Sequence, residues 1–387
     1  MKKISYNEAK KPYDYGFTIG KKLNPIYKMI YQMISYNSKS YLKPITKKQL
    51  NNLEYYCPSL FEELKGLSDS TKIKLKKLFS IQQGIHGLFG GECTTTASTK
   101  EATKQNDTFV TENWDSHILH PYYFIAKNIF PKKIHFCNLE NFYKYVFIGV
   151  PVLHEIPIFN EYGVGFAGNG TILTSDNKRL FEEGKGKPSF ILVRETMMKC
   201  KDVLEVANFW KKSLRSSYKH KIFPHHWDYM TSVWCDSNSG ILMIEQTHKQ
   251  ILLVFGNSTN ITNAPKNILW HSNHHQWLNP NKTGSVYPAE YLPSNLREKR
   301  SRSILEKNYG NITIDLCKNL TRDHINGFTD KRKNSGNICR HFDTNSLKAT
   351  VFAYILEPKK LTAHITPGQP CKNKYIKYNF SNILKQN

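Results

Sequence analysis

The chain has 387 residues, a formal net charge of +24, 39% hydrophobic and 13% aromatic residues, a composition that supports a large globular core and excludes disorder along most of its length. No apolar run approaches the roughly 18 residues that a membrane span needs, and the basic start Met1-Lys2-Lys3 lacks a signal peptide's apolar stretch, so a cytoplasmic protein with no membrane partner is expected. Eight cysteines are spread widely with no C-x-x-C pair, which offers neither a local zinc motif nor a dense disulfide framework; no metal is expected.

In chain order, residues 1–92 read as helical. Asn24 can cap a helix with Pro25 at its first position, and Ile26, Met29, Ile30 and Met33 then share one face. Residues 57–67 predict a helix capped by Ser59 and ending near Gly66. An amphipathic segment over 73–81 leads into Gly84, Gly87, Gly90 and Gly91, a glycine density that marks a boundary or a strained turn just before Cys93. From Cys93 the period becomes strand-like. Residues 91–96 read as a loop delivering a cysteine into a strand, and the strand that returns over 108–111 leads to Asn113, Trp114 and Asp115. Further strands are predicted at 143–148 and 163–168, a helical stretch at 188–214, a three-strand meander at 231–235, 241–245 and 251–255, and a hairpin of 350–356 with 361–365. Strands, inserted helices and strands again suit two antiparallel sheets covered by helices better than a βαβ parallel sheet.

The basic clusters at 72–77, 211–212, 297–302 and 331–333 are short and scattered, and several fall on amphipathic helices. They read as solvated faces, so no nucleic-acid partner is expected; a basic nucleic-acid-binding protein is the non-enzymatic alternative. Cys93 is read either as one more buried thiol or as a nucleophile with an amide and a carboxylate beside it. His225, His226, His271, His274 and His275 lack the spacing of a metal-binding helix. One of them serving as base to Cys93, in a papain-like Cys/His hydrolase, stays open. Trp114 and Trp270 read as core.

Glu92-Cys93-Thr94-Thr95 followed by Asn113-Trp114-Asp115 resembles the peptidase C45 family, the acyl-coenzyme A:6-aminopenicillanic acid acyltransferase group. Further segments match in order from about residue 10 to 380: residues 62–66, 160–165, His271-Ser272-Asn273-His274, Ser294 with Arg297 and Arg300, Ile338-Cys339-Arg340, Ser346 with Ala349-Thr350, and Gly368-Gln369-Pro370-Cys371. The resemblance implies an α+β, four-layer αββα sandwich of the N-terminal nucleophile (Ntn) hydrolases. A helical pro-segment, 1–92, would be cut from the catalytic domain, 93–387, at Glu92-Cys93 and stay associated with it. It implies Cys93 as nucleophile, with its freed α-amine as base, Asp115 holding the amine or orienting the thiol, Asn273 donating to the oxyanion and Asn113 fixing the nucleophile strand. Glu112, Arg297, Arg300 and Ser346 are the candidate substrate-binding residues. The implied substrate is a small-molecule acyl amide, with no cofactor beyond a coenzyme A thioester as an optional co-substrate. Two positions depart from the family: Glu92 replaces the glycine before the nucleophile of the penicillin acyltransferase, and Glu112 stands where that family has Gln and the related bile-salt hydrolases place Arg.

Overall fold

The computed structural model describes residues 9–36, 45–88, 93–117, 127, 133–173, 185–216, 227–278, 292–324, 336–342 and 348–385. The N-terminal region forms helices α1 (Pro12–Lys22), α2 (Asn24–Tyr36), α3 (Lys47–Tyr56), α4 (Pro58–Thr71) and α5 (Leu75–Leu88), where the 3.6-residue apolar period predicts helix. The expected bounds of α4 need correction. Cys57, not Ser59, occupies the N-cap, Pro58 takes the first turn, and the helix runs past Gly66 to a left-handed residue, Lys72. Gly66 is required by packing rather than termination: a Cβ there would lie 2.0 Å from the Tyr13 carbonyl oxygen of α1, and one on Gly16 would lie 1.9 Å from the Glu63 oxygen of α4. These two glycines let the α1 and α4 backbones touch.

The helical stretch expected at 188–214 is two helices, α6 (Ser189–Lys199) and α7 (Val203–Lys212). The break falls where Asp202 caps the backbone N–H groups of Leu204 and Glu205, each at 2.8 Å. The longer helices that follow are α8 (Leu292–Lys307) and α9 (Ile314–Thr321), besides single turns at Thr259–Thr262 and Ser381–Leu384.

The strands are β1 (Thr94–Ser98), β2 (Phe109–His117), β3 (Ile134–Cys137), β4 (Tyr145–Val150), β5 (His154–Asn160), β6 (Gly165–Leu173), β7 (Lys187–Pro188), β8 (Arg215–Ser216), β9 (Trp227–Cys235), β10 (Ile241–Gln246), β11 (Ile251–Phe255), β12 (Ile268–His271), β13 (Lys348–Glu357), β14 (Thr362–Ile365) and β15 (Ile376–Asn379). They form a six-stranded sheet, β12-β1-β2-β13-β14-β15, and a seven-stranded sheet, β11-β10-β9-β6-β5-β4-β3, each antiparallel throughout; β7 and β8 form a short parallel pair. The expected α+β architecture of two antiparallel sheets with helices is therefore present. The sheets face one another, since Tyr354 Oη of β13 donates to the Phe166 carbonyl of β6 at 3.0 Å and Thr95 Oγ1 of β1 to Asn169 Oδ1 of β6 at 2.7 Å. Helices α8 and α9 cover the outer face of the first sheet, where Ile268, Trp270, Leu305, Ile312, Leu320 and Ile338 form a small core. Helices α5, α6 and α7 pack on the second sheet, giving four layers. Tyr15, Ile19, Leu64, Leu67 and Phe79 of the N-terminal helices belong to the same buried core as Val146, Ile158 and Trp234, so the N-terminal helices and the sheets are one packed unit. No helix among the described residues is long and apolar enough to cross a membrane.

Candidate active site

Cys93 is the residue before β1, a strand paired on both sides, with Thr95 opposite His271 of β12 and Glu112 of β2. Alternation along β1 sends Thr95 toward the second sheet and Thr94 toward α8, where its Oγ1 accepts from Arg297 Nη1 at 2.9 Å. The Cys93 carbonyl accepts from the same Arg297 Nη1 at 2.7 Å and from Ser272 Oγ at 3.3 Å. Burial pushes the Cys93 thiol well above its ordinary value, the charges of Glu112 and Asp115 push further, and the backbone N–H of Asp115 and the Arg297 guanidinium offset only part of this. Near neutral pH the sulfur is therefore held as the protonated thiol.

Glu112 lies between the sheets beside that thiol. Its carboxylate accepts from Tyr354 Oη and, at 3.0 Å, from the Gly168 backbone N–H. Burial raises it to about 8, against those hydrogen bonds and with help from the Asp115 charge. Near neutral pH the group is largely the neutral acid.

Asp115 depends on a β-bulge. Between Thr350 and Phe352 the register of β13 shifts against β2, so Phe352 pairs with Trp114 while Thr350 pairs with Asp115. Without the extra residue Thr350 would share a face with Phe352 and Tyr354; with it, Thr350 reaches the other face and its Oγ1 donates to Asp115 Oδ1 at 2.7 Å. Arg340 Nη1 lies 3.9 Å from Asp115 Oδ2, and the Arg340 backbone is tied to Thr350 in both directions, at 2.8 and 3.1 Å.

Asn113 faces the helices. Its Nδ2 donates to the Thr321 and Ile338 carbonyls, both at 2.8 Å, so it fixes the β2 strand to the covering layer. Asn273 is held through its side chain and its backbone: Oδ1 accepts from Arg297 Nη2 at 2.9 Å and from Ser272 Oγ at 3.4 Å, Nδ2 donates to the Gly170 carbonyl at 2.9 Å, and its N–H donates to Ser294 Oγ at 2.8 Å. Arg297, wholly buried, thus joins Cys93, Thr94 and Asn273 through one planar fork. Its place is at Cys93. Arg300 is elsewhere, its fork closed on Asp323 at 2.9 and 2.6 Å. Glu92 and Ser346, like His225 and His226, lie outside the described residues.

Of the histidines, His271 turns Nε2 to Glu245 Oε1 at 3.0 Å and Nδ1 to the Ser272 carbonyl, and His274 Nδ1 meets Ser294 Oγ at 2.8 Å. The ring nitrogens of His271 are thus directed at Glu245 and Ser272 rather than at the Cys93 sulfur, an arrangement unlike a Cys/His pair. Glu245 also accepts from the backbone N–H groups of Gln276, Trp277 and Leu278. Burial works to raise this carboxyl, but the His271 hydrogen bond, the nearby His275 and these donors prevail and hold it down at about 2. Its folded value lies below the unfolded one of roughly 4.3, so the stabilisation is complete above that pH and disappears as pH falls toward 2. Urea melts across this acid range should lose about 3 kcal/mol more in the wild type than in Glu245→Gln; equal acid sensitivity would remove Glu245 as the clamp of the 276–278 segment.

Cys93, Glu112, Asp115, Asn273 and Arg297 therefore gather around the start of β1. Sequence reasoning missed Tyr354 and Glu245, and it placed Ser272, Thr350 and Arg340 in motifs without a role, because only the folded pairing of distant segments brings them here. No family model matches the chain, and no curated protein does. Among solved structures it is similar to a mutant of conjugated bile acid hydrolase from Clostridium perfringens (15% identity, 76% of this chain and 93% of that one, TM-score 0.46), to a second variant of that hydrolase (15%, 76% and 93%, TM-score 0.47) and to penicillin V acylase from Agrobacterium tumefaciens (9%, 76% and 87%, TM-score 0.48). These likenesses assign no activity to this chain.

Proposed function

We propose that the protein is a cysteine Ntn hydrolase of the C45 type, activated by its own cleavage, that hydrolyses small acyl amides or transfers their acyl group. The reading rests on one observation: Cys93 stands directly before a central strand, its carbonyl held by Arg297, its sulfur facing the Asp115 N–H. In the first reaction the sulfur attacks the Glu92 carbonyl, the Glu92–Cys93 C–N bond breaks as the nitrogen takes the thiol proton, and water cleaves the resulting thioester. Residue 92 leaves as a carboxylic acid and Cys93 gains a free α-amine. That amine titrates near 8 and the thiol near 8.5 in ordinary surroundings, so one residue supplies base and nucleophile. In turnover the amine accepts the thiol proton while sulfur attacks the substrate carbonyl, the proton passes to the departing amine, and water or an acceptor amine resolves the acyl-thioester. The acceptor reaction admits a coenzyme A thioester as acyl donor. Residues 1–92 remain bound to 93–387 as the smaller subunit.

Asn273 supplies an N–H to the oxyanion. Asn273→Ala should lower kcat roughly 10²- to 10³-fold with KM little changed; a KM effect alone would move Asn273 out of the oxyanion role. The reading as a whole is tested by incubating protein with an acyl anilide and looking for the acyl group on Cys93 by peptide mass. Acylation elsewhere, or turnover that iodoacetamide leaves intact, would refute it. A basic nucleic-acid binder would instead show micromolar, steeply salt-dependent affinity for DNA or RNA.

A further inference from the structure

Away from the sulfur of Cys93, four soft donor groups from three separate stretches meet at one point. His324 follows α9, Cys339 and His341 flank Arg340, and Cys371 follows β14. Their donor atoms all lie within 4.8 Å of one another. The near distances are 3.0 Å between His324 Nε2 and His341 Nε2, 3.2 Å from Cys371 Sγ to His341 Nε2, 3.5 Å between the two Sγ atoms and 3.8 Å from Cys339 Sγ to His341 Nε2. A tetrahedral zinc with Zn–S near 2.3 Å and Zn–N near 2.0–2.1 Å has ligand-to-ligand edges of about 3.3–3.8 Å. Four of the six separations, 3.0–3.8 Å, thus lie near the edges of such a tetrahedron, and a small closing movement would bring all four atoms onto one ion. Hydrogen bonding explains the cluster less well: His341 Nε2 has one proton or one lone pair to offer, yet faces another ring nitrogen and two sulfurs.

We propose that His324, Cys339, His341 and Cys371 form a four-ligand site for a divalent transition-metal ion, zinc being the fitting one. Two thiolates and two imidazoles match its softness and preferred geometry. Binding releases two thiol protons to solvent and leaves a neutral, half-buried cluster, since two thiolate charges balance the ion. Four protein ligands leave no open position, so the ion is structural. Entry is available from a cleft of about 520 Å³ that His341 borders. The ion fastens the 338–341 segment, already tied by Asn113 to Ile338 and by Gln369 Nε2 to the Arg340 carbonyl at 3.0 Å, and it is this segment that carries Arg340 toward Asp115.

The test uses the full chain, reduced and stripped of metal, in wild-type form and as Cys93→Ala, which removes the thiol of the proposed active site as a competing ligand. Titration with Co²⁺ should give thiolate-to-cobalt charge-transfer absorption and tetrahedral d–d bands, saturating at one equivalent and bleached by one equivalent of Zn²⁺. Elemental analysis of protein purified without chelator should find about one zinc per chain. The Cys339→Ser/Cys371→Ser double variant should lose both signals; should it not fold, a fall in Tm of the wild type on chelation, restored by Zn²⁺, takes its place. The proposal is overturned by a reduced wild type without the charge-transfer band, by a double variant that keeps it, or by a Cys339–Cys371 disulfide in the purified protein. Because Cys93→Ala should bind cobalt as the wild type does, the outcome is independent of whether Cys93 is a nucleophile.

Discussion

Cys93→Ala should remain a single polypeptide of 387 residues while the wild type separates, by intact mass, into fragments ending at Glu92 and beginning at Cys93. The bond can break only if the sulfur reaches the neighbouring carbonyl, and alanine supplies no electron pair. Amide turnover should fall by about 10⁶-fold, the size of effect seen when a hydrolase loses its nucleophile. The fold should survive, because Arg297 and Ser272 bind the carbonyl of this residue, which alanine keeps. Cys93→Ser separates the two reactions. A hydroxyl is far less acidic than a thiol, so slow or absent cleavage with no amide turnover is expected. Glu92→Gly tests the residue on the scissile bond: faster cleavage is expected, since glycine frees the backbone for the turn that brings the carbonyl to the sulfur. An uncut but active wild type would remove the α-amine as base and leave a thiol served by another group.

The parts of this arrangement that are legible in the sequence share a physical reason. The meander β9-β10-β11 and the hairpin β13-β14 show short runs of β-forming apolar residues with turn residues between them, and each pairs with its neighbour in sequence. Strand β5 is hidden because it contains Pro157 and starts with His154 and Glu155. At the site, Cys93 directly precedes β1 and Asp115 lies on β2, the next strand in sequence and in the sheet, so the motif that holds them is nearly continuous. Asn273 and Arg297 can be named as positions but not as partners, since nothing local says that one guanidinium will span both Asn273 and the Cys93 carbonyl. The bulge at Val351 cannot be read at all: it exists only in the register between β2 and β13, and yet it decides that Thr350 reaches Asp115. The His324, Cys339, His341 and Cys371 cluster escapes sequence reasoning for a related reason. Its members are separated by 17, 2 and 30 residues across the His341 pairings, and a search for C-x-x-C spacing does not see it.

Arg194→Met should cost about 3–5 kcal/mol, the range for removing one partner of a buried ion pair. Arg194, on α6, is buried, with Nη2 on Glu63 Oε2 of α4 at 2.7 Å and Nε on Glu155 Oε2 of β5 at 2.9 Å; Tyr145 Oη accepts from the same Nε at 2.9 Å and donates to Glu155. Methionine fills much of the space and returns no charge, so two carboxylates are left facing each other in the core. The sign of the pH dependence comes from Glu63. Its burial already outweighs Arg194 and raises it to about 7. With the guanidinium gone the folded value rises further above the unfolded one of roughly 4.3. Stability of the variant is then fully present below that unfolded value and is lost as pH rises through the folded one, so the cost of Arg194→Met should be greatest at mildly alkaline pH and smallest near pH 4. Urea melts in the Cys93→Ala background keep the chain in one piece for this comparison. In a cleaved wild type the same substitution acts on association, because Glu63 lies in the 1–92 segment and its partners lie beyond residue 93; size-exclusion chromatography should then show the two fragments separating. A cost below about 1 kcal/mol, or one that does not change with pH, would mean that apolar contacts rather than this buried pair hold α4 to the sheet.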